Sequence, residues 1–139
     1  MYRTSVHILS LFLLSALLFC SCARKAVFEK SVVVPSASGK VKVKKDDNNN
    51  YVIDVSVKDL TPPANLIPAK TVYLVWNEAN NGLFNIGQLS TSRSFISRGY
   101  KASLTTSSPN KPKRVFITAE ENANTLAPGP QVVLTTPSF

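Results

Sequence analysis

Residues 40–57 read KVKVKKDDNNNYVIDVSV, and this segment determines the class of fold that the chain can adopt. Apolar and polar residues alternate with period two on both sides of its centre, which is typical of strands with one buried face and one wet face. The central run Asp46-Asp47-Asn48-Asn49-Asn50 suits a turn, because the side chains of Asp and Asn hydrogen-bond to nearby backbone groups. The segment therefore predicts a β-hairpin with a cationic outer side that carries Lys40, Lys42 and Lys44.

The rest of the chain also reads as short strands separated by turns. Thr71 to Trp76 is almost continuously apolar and predicts a central strand that is buried on both sides. Further strands are predicted at 27–34, at 83–89 with a bulge at Gly87, from a start at Phe95 and Ile96, at 100–104, at 114–120 and at 131–135. Because no segment has a helical period, we predict an all-β, antiparallel β-sandwich of about seven to nine strands.

The beginning of the chain predicts export and a lipid anchor. Arg3 precedes an apolar run from Val6 to Phe19, and the small residue Ser21 stands directly before Cys22. This order resembles the signal of bacterial lipoproteins, which implies cleavage before Cys22 and lipid on its sulfur. An ordinary secretory signal and a membrane-retained helix are the alternatives, although the run is shorter than the roughly 20 residues that a spanning helix needs.

These assignments divide the chain into three parts. Residues 1–21 are predicted to be the signal peptide, residues 22–26 the anchor and a short tether, and residues 27–139 the β-sandwich. The predicted location is the cell envelope. No Asp comes directly after Cys22, and by resemblance to known sorting signals this slightly favours an outer membrane, with the domain facing the periplasm.

Composition restricts the chemistry that the exported part can perform. The chain has 16 basic and 8 acidic residues, a net charge of +8, two cysteines and one histidine. Both cysteines, Cys20 and Cys22, and the histidine, His7, belong to the signal region or its boundary. The sequence therefore predicts no disulfide, no metal site, no cofactor and no enzyme that depends on histidine. A serine and lysine pair remains open as a catalytic alternative, although no such motif stands out.

Two groups of basic residues are the candidate contacts with an anionic surface. The groups are Lys40, Lys42 and Lys44, and Lys111, Lys113 and Arg114. Such cations bind lipid phosphates or an anionic polymer. The alternative is that the lysines protect an edge strand from aggregation or solvate the surface. An exported protein is not expected to meet nucleic acid, so we predict no nucleic-acid partner.

Three other sets of residues have both a functional and a structural interpretation. Residues 46–50 carry oxygens that suit calcium, but they lack the spacing of a calcium loop and are predicted to be a turn. Glu120 and Glu121 point to opposite faces of a strand, which argues against a catalytic pair. Four aromatic residues form either a ligand groove or part of the core, and we predict the core: Tyr73, Trp76, Phe84 and Phe116.

From Tyr51 onward the sequence resembles the C-terminal extracytoplasmic domain of the anti-sigma-K factor family. The segments that match in order are 51–55, the proline connector and strand at 66–76, Asn85-Ile86-Gly87-Gln88-Leu89, Phe116-Ile117-Thr118-Ala119-Glu120 and Pro128-Gly129-Pro130-Gln131-Val132-Val133-Leu134. The resemblance implies an immunoglobulin-like β-sandwich with a sensing or interaction role in the envelope. The sigma-binding segment and spanning helix of that family have no counterpart here, so the resemblance does not imply sigma-factor binding.

These inferences combine into one predicted function. We expect a lipid-anchored, exported, non-enzymatic β-sandwich that binds a protein or polymer partner in the bacterial envelope, in a sensing or regulatory role. Its other predicted contact is with the membrane, through lipid on Cys22. The alternatives are a structural subunit that assembles by strand exchange and a small envelope hydrolase with an unrecognised site.

Overall fold

The hairpin predicted at residues 40–57 lies within the larger of two sheets. A computed structural model describes residues 22–93 and 99–139, so the predicted signal peptide and the strand start at Phe95 and Ile96 lie outside the described residues. The described residues form nine strands: β1 (Arg24–Val27), β2 (Ser38–Lys45), β3 (Tyr51–Leu60), β4 (Val72–Ala79), β5 (Gly82–Gln88), β6 (Ser90–Arg93), β7 (Tyr100–Ser108), β8 (Pro112–Glu120) and β9 (Val132–Thr135).

The nine strands form an antiparallel β-sandwich, which confirms the predicted fold class. Sheet A has the order β1-β2-β3-β7-β6, and sheet B has the order β5-β4-β8-β9. From β2 onward this is the immunoglobulin arrangement, with strands A, B, E and D in one sheet and C′, C, F and G in the other. β1 is an additional strand that pairs with β2 at the edge of sheet A.

Alternation along the hairpin fills the core between the sheets. Val41, Val43, Ile53, Val55 and Val57 are all at most 6% exposed, and β2 pairs with β3 so that Val41 lies opposite Val55 and Val43 opposite Ile53. Register and alternation therefore place every one of these side chains between the sheets.

The central strand of sheet B is buried on both sides, as its continuous apolarity predicts. Tyr73, Leu74, Val75 and Trp76 in β4 are each at most 1% exposed. Tyr73 and Val75 face sheet A, whereas Leu74 and Trp76 belong to a separate apolar cluster on the outer side of sheet B. Sheet B therefore has a layer of buried residues on each face.

The strand predicted at Val27–Val34 is wrong. Arg24–Ala26, which the sequence assigned to a tether, are residues of β1, and only Val27 of the predicted strand belongs to it. Residues 28–37 instead cross one end of the sandwich. Ser31 bends them, because its hydroxyl accepts a hydrogen bond from the Val34 N–H and donates one to the carbonyl of Val133 in β9.

The proline-rich connector closes the same end of the sandwich. It contains a short 3-10 helix at Pro63–Asn65, and Leu66 after it is only 7% exposed. The Tyr73 hydroxyl donates a 2.6 Å hydrogen bond to the carbonyl of Thr61 in this connector. Burial raises the pKa of Tyr73 to about 12, because the ionised phenolate would lose its hydration.

A polar chain runs beneath the loop that covers the outer side of sheet B. The Trp76 indole N–H donates to the Thr118 hydroxyl at 2.8 Å, and that hydroxyl donates to Glu120 Oε1 at 2.5 Å. The same carboxylate oxygen accepts the backbone N–H of Gly129 at 2.7 Å. Trp76, Thr118 and Glu120 are all buried, and these hydrogen bonds give each of the three side chains a partner.

The loop at 121–130 is fastened on both sides of the buried tryptophan. At β5, the Asn85 side chain donates 3.2 Å hydrogen bonds to the carbonyls of Ala123 and Thr125. At β8, the bond from Gly129 to Glu120 returns the loop to the sheet. The loop therefore lies over Trp76, which stacks on Phe116 with ring centroids 6.4 Å apart.

No helix in residues 22–93 and 99–139 is long and apolar enough to cross a bilayer.

Replacing Thr118 should destabilise the fold although the volume of the side chain is kept. In Thr118→Val the Trp76 N–H loses its acceptor and Glu120 loses a donor, so the free energy of unfolding should fall by about 1 to 3 kcal/mol. Urea unfolding followed by the fluorescence of Trp76 measures this. The control is Thr105→Val in β7, which also removes a hydrogen bond, but an exposed one to Asp54 at 3.2 Å, and should therefore change stability by no more than about 0.5 kcal/mol. Equal stabilities of the two variants would contradict the account.

Tyr73 should make stability depend on pH in the alkaline range. Tyr73→Phe loses the hydrogen bond to Thr61 and should cost about 1 kcal/mol at neutral pH. As pH rises from 10.0 towards 12, the phenol ionises in the unfolded chain before it ionises in the folded one, so the wild type loses stability that the variant does not lose. The difference between their free energies of unfolding should therefore shrink above pH 10.0. Urea titrations across this range measure it, and a constant difference would contradict the assignment.

Candidate functional site

The outer face of sheet A is a broad cationic surface. Alternation turns Lys40, Lys42 and Lys44 of β2 away from the buried Val41 and Val43, as the sequence predicted. Register then adds lysines from three neighbouring strands, because residues directly opposite each other share a face. We call this surface the lysine face and define it by six residues: Lys25, Lys40, Lys42, Lys44, Lys58 and Lys101.

The lysine face carries little negative charge and many hydroxyl groups. Asp54 is the one carboxylate at a paired, outward-facing position of the described part of sheet A, and it accepts a hydrogen bond from Thr105. The remaining polar residues on this face are Ser38, Ser56, Ser90, Ser92, Ser103, Thr105 and Ser107. Lysines two residues apart along β2 stand about 7 Å from each other, and Lys25 lies about 5 Å across from Lys42. An extended anion lying along the face can therefore meet several cations at once.

The lysines of β2 do not protect an edge strand. β1 covers β2 on its outer side, with Lys25 opposite Lys42 and Val27 opposite Lys40. β3 pairs with β2 along its whole length on the other side. The central lysines of β2 therefore belong to a strand whose backbone is already paired, and aggregation at a free edge does not explain them.

The second predicted basic group does not join the first. Arg114 lies on the outer side of sheet B, where its guanidinium forms an ion pair with Glu78 at 2.5 Å. Lys113 is exposed next to the chain end, since its carbonyl accepts the N–H of Phe139. Lys111 lies at the end of the sandwich where β1 begins. The structure thus separates these three residues from Lys40, Lys42 and Lys44.

Cys22 is exposed at the end of the sandwich where β1 begins and the turn between β2 and β3 lies. We call this end the Cys22 pole. A small cleft of about 210 Å³ opens there. Its lining consists of Cys22, Arg24, Val43, Lys45, Tyr51, Lys111, Pro112 and Phe139. Three of these eight residues have cationic side chains, and none has an acidic side chain.

A larger and more apolar cleft of about 690 Å³ lies at the opposite pole. We call it the distal cleft, and its lining residues include Val32, Val33, Leu66, Ile67, Pro68 and Gln131. Val32 is 93% exposed and Ile67 is 97% exposed, so two large apolar side chains beside this cleft are open to solvent. The side-chain oxygen of Gln131 is buried without a hydrogen-bond partner.

Two alternatives raised by the sequence receive a structural role. Asp46 Oδ1 accepts the backbone N–H groups of Asn48 and Asn50, which makes residues 46–50 the predicted turn. Glu120 is buried, whereas Glu121 is exposed and pairs with Lys70 at 2.8 Å, so the two carboxylates do not share a site. No group of three or more potential metal ligands occurs in the described ranges.

The aromatic residues do not form a groove together. Tyr73 faces the core between the sheets, and Trp76 and Phe116 pack on the other side of sheet B. Phe84 is half-buried in β5. The prediction that these aromatic residues belong to the core is confirmed for Tyr73, Trp76 and Phe116, because each is at most 8% exposed.

Sequence reasoning did not assign Lys25, Lys58 and Lys101 to the candidate surface. For Lys58 the signal was available, because the alternation of Asp54 and Ser56 continues to it in β3. For Lys25 and Lys101 it was not, since their side depends on the strands with which they pair. Arg24 follows Cys22 by two residues, so the sequence itself places it near the predicted anchor. Its meeting with Lys45 and Lys111 was beyond the reach of local patterns, because segments distant in sequence bring the three cations to one cleft.

Comparison of the chain with protein-family models, with curated proteins and with solved structures gave no match. The resemblance to the anti-sigma-K factor family therefore remains a prediction from the motifs quoted above. Two of those motifs are in direct contact, because Glu120 of the one accepts the N–H of Gly129 of the other. What the chain is shown to be is an antiparallel β-sandwich with the immunoglobulin order of strands.

Proposed function

We propose that the protein is an exported, lipid-anchored, non-enzymatic binding module that holds an anionic polymer of the cell envelope on its lysine face. The observation that carries the proposal is the charge of this face, where six lysines accompany a single paired carboxylate, Asp54. Such a surface has a positive potential that attracts polyanions and orients them before contact.

The shape of the face supports an extended ligand. Five strands present their outward residues on one sheet, and the cations come from four of them, β1, β2, β3 and β7. A polymer with regularly spaced carboxylates or phosphates can bind several lysines together, and each added contact is effectively intramolecular. The serine and threonine hydroxyls between the lysines donate hydrogen bonds to oxygens of the same ligand.

The anchor is the second part of the proposal. Its support is the order of residues before Cys22 and the exposure of Cys22 itself, two residues before β1. Lipid on this sulfur would hold the sandwich close to the membrane, since the chain enters sheet A almost at once. The anchor would raise the local concentration of the lysine face near envelope polymers.

A protein partner at the distal cleft is a second candidate function. The exposure of Val32 and Ile67 beside that cleft favours it, because contiguous exposed apolar side chains mark interaction surfaces. The dependence of affinity on ionic strength distinguishes binding at the lysine face from binding at the distal cleft. Contact with the lysine face weakens as ionic strength rises, whereas apolar contact at the cleft does not.

Removing charge from the lysine face should weaken polymer binding. In the double variant Lys40→Gln and Lys42→Gln we expect the affinity for polygalacturonate or polyphosphate to fall about thirtyfold at low salt, because each lysine near an anionic surface contributes about 1 kcal/mol. Isothermal titration calorimetry with the purified protein measures it, and uncharged dextran is the negative ligand.

The matched control for this variant is Lys30→Gln with Lys113→Gln. It removes the same charge from exposed positions outside the lysine face. The proposal predicts that the control keeps nearly the wild-type affinity. If both variants lose affinity equally, net charge alone governs binding and the lysine face has no special role.

Replacing Cys22 should abolish lipidation. Cells that express the wild type should incorporate labelled palmitate into the protein, and Cys22→Ala should carry no label, because the sulfur that accepts the lipid is gone. Cys20→Ala is the matched control and should stay labelled after processing. Label in the Cys22→Ala protein, or its absence from the wild type, would refute the anchor while leaving polymer binding untouched.

A further inference from the structure

Three cationic residues that do not belong to the lysine face lie together at the Cys22 pole. Arg24 lies directly opposite Val43, and Lys45 follows Val43 by two residues in β2. Both positions therefore belong to the register that points between the sheets. Because they lie beyond the end of the core, they line the cleft of about 210 Å³ together with Lys111, which belongs to the loop before β8.

No ion pair in the described part of the chain involves the cationic side chains of this cleft. The two ion pairs of the described residues join Lys70 to Glu121 and Arg114 to Glu78, so Arg24, Lys45 and Lys111 belong to neither. Asp46 follows Lys45 directly, but one of its oxygens already accepts two backbone N–H groups of the turn. The cationic side chains of the cleft are therefore available to a ligand.

The remaining lining makes the cleft suited to a headgroup at an interface. Tyr51 lies under Lys45, with the ammonium 6.0 Å from the ring centroid, and Phe139 and Pro112 provide apolar surface beside it. Aromatic rings with a polar neighbour favour the boundary between lipid and water. An arginine with nearby lysines binds phosphate oxygens through charge-assisted hydrogen bonds.

We propose that the cleft formed by Arg24, Lys45 and Lys111 binds the phosphate of an anionic phospholipid headgroup. The inference rests on the proposed anchor at Cys22, because Cys22 lines the same cleft and lipid on it would bring the cleft to the membrane surface. Contact at this pole sets the orientation of the domain relative to the membrane surface. The distal cleft then points away from the membrane. The lysine face lies on the side of the domain, between the two poles, where polymers can reach it.

Protection of lysines from acetylation tests the proposal on the full chain as cells make it. The protein is reconstituted into vesicles of phosphatidylcholine, or of phosphatidylcholine mixed with phosphatidylglycerol, and treated with a water-soluble acetylating reagent. Mass spectrometry then gives the rate of modification at each lysine. Lys45 and Lys111 should react about fivefold more slowly in the anionic vesicles, the factor expected for a cation held at an anionic surface. Lys42 and Lys101 of the lysine face are internal controls and should react equally in both.

One variant and one soluble probe complete the test. Arg24→Gln should reduce the protection of Lys45 and Lys111, whereas Lys40→Gln should leave it intact. Equal rates in the two kinds of vesicle would overturn the proposal, and so would protection of Lys42 and Lys101 in place of the pole. Equal protection by inorganic phosphate in detergent would assign the cleft to a free phosphate. Palmitate label is measured on the same samples, so a missing anchor gives no label, whereas a failed cleft gives label without protection.

Discussion

The alternation of valine and lysine in β2, fixed in register against β3, is the constraint on which the rest of the structure depends. The pairs of Val41 with Val55 and of Val43 with Ile53 place four apolar side chains between the sheets. A shift of one residue would bury the lysines and expose the valines, at a cost that no other contact offsets. The same register that closes the core thus turns Lys40, Lys42 and Lys44 outward, so the stability and the candidate binding surface have one origin.

Sheet B has apolar side chains to bury on both of its faces. Its central strand has large apolar residues on both faces, and sheet A covers only one of them. The loop at 121–130 covers the other, through Asn85 on one side and through Glu120 on the other. Burial of Trp76 would leave its indole N–H without water, and Thr118 supplies the missing acceptor. The long irregular loop is therefore held over the outer side of sheet B, although none of residues 121–130 is itself buried.

Local sequence patterns predicted the fold where a strand carries its own signal. The hairpin, the central strand with Trp76 and the strand at 114–120 follow from alternation or continuous apolarity. The prediction at Val27–Val34 failed because strand propensity was the only signal there, and Ser31 offers a competing turn that is visible only once β9 is beside it. The candidate site shows the same limit, because Lys25 and Lys101 join the lysine face through pairing between strands distant in sequence.

The central claim is that the outer face of sheet A is the surface that binds an envelope polyanion. Amide chemical-shift mapping tests it most directly, with isotope-labelled protein titrated with polygalacturonate. The account predicts shifts concentrated in β1, β2, β3 and β7, around Lys25, Lys42, Lys58 and Lys101, which disappear as salt is raised. Shifts concentrated in sheet B or at the distal cleft, or shifts that salt does not reverse, would contradict it.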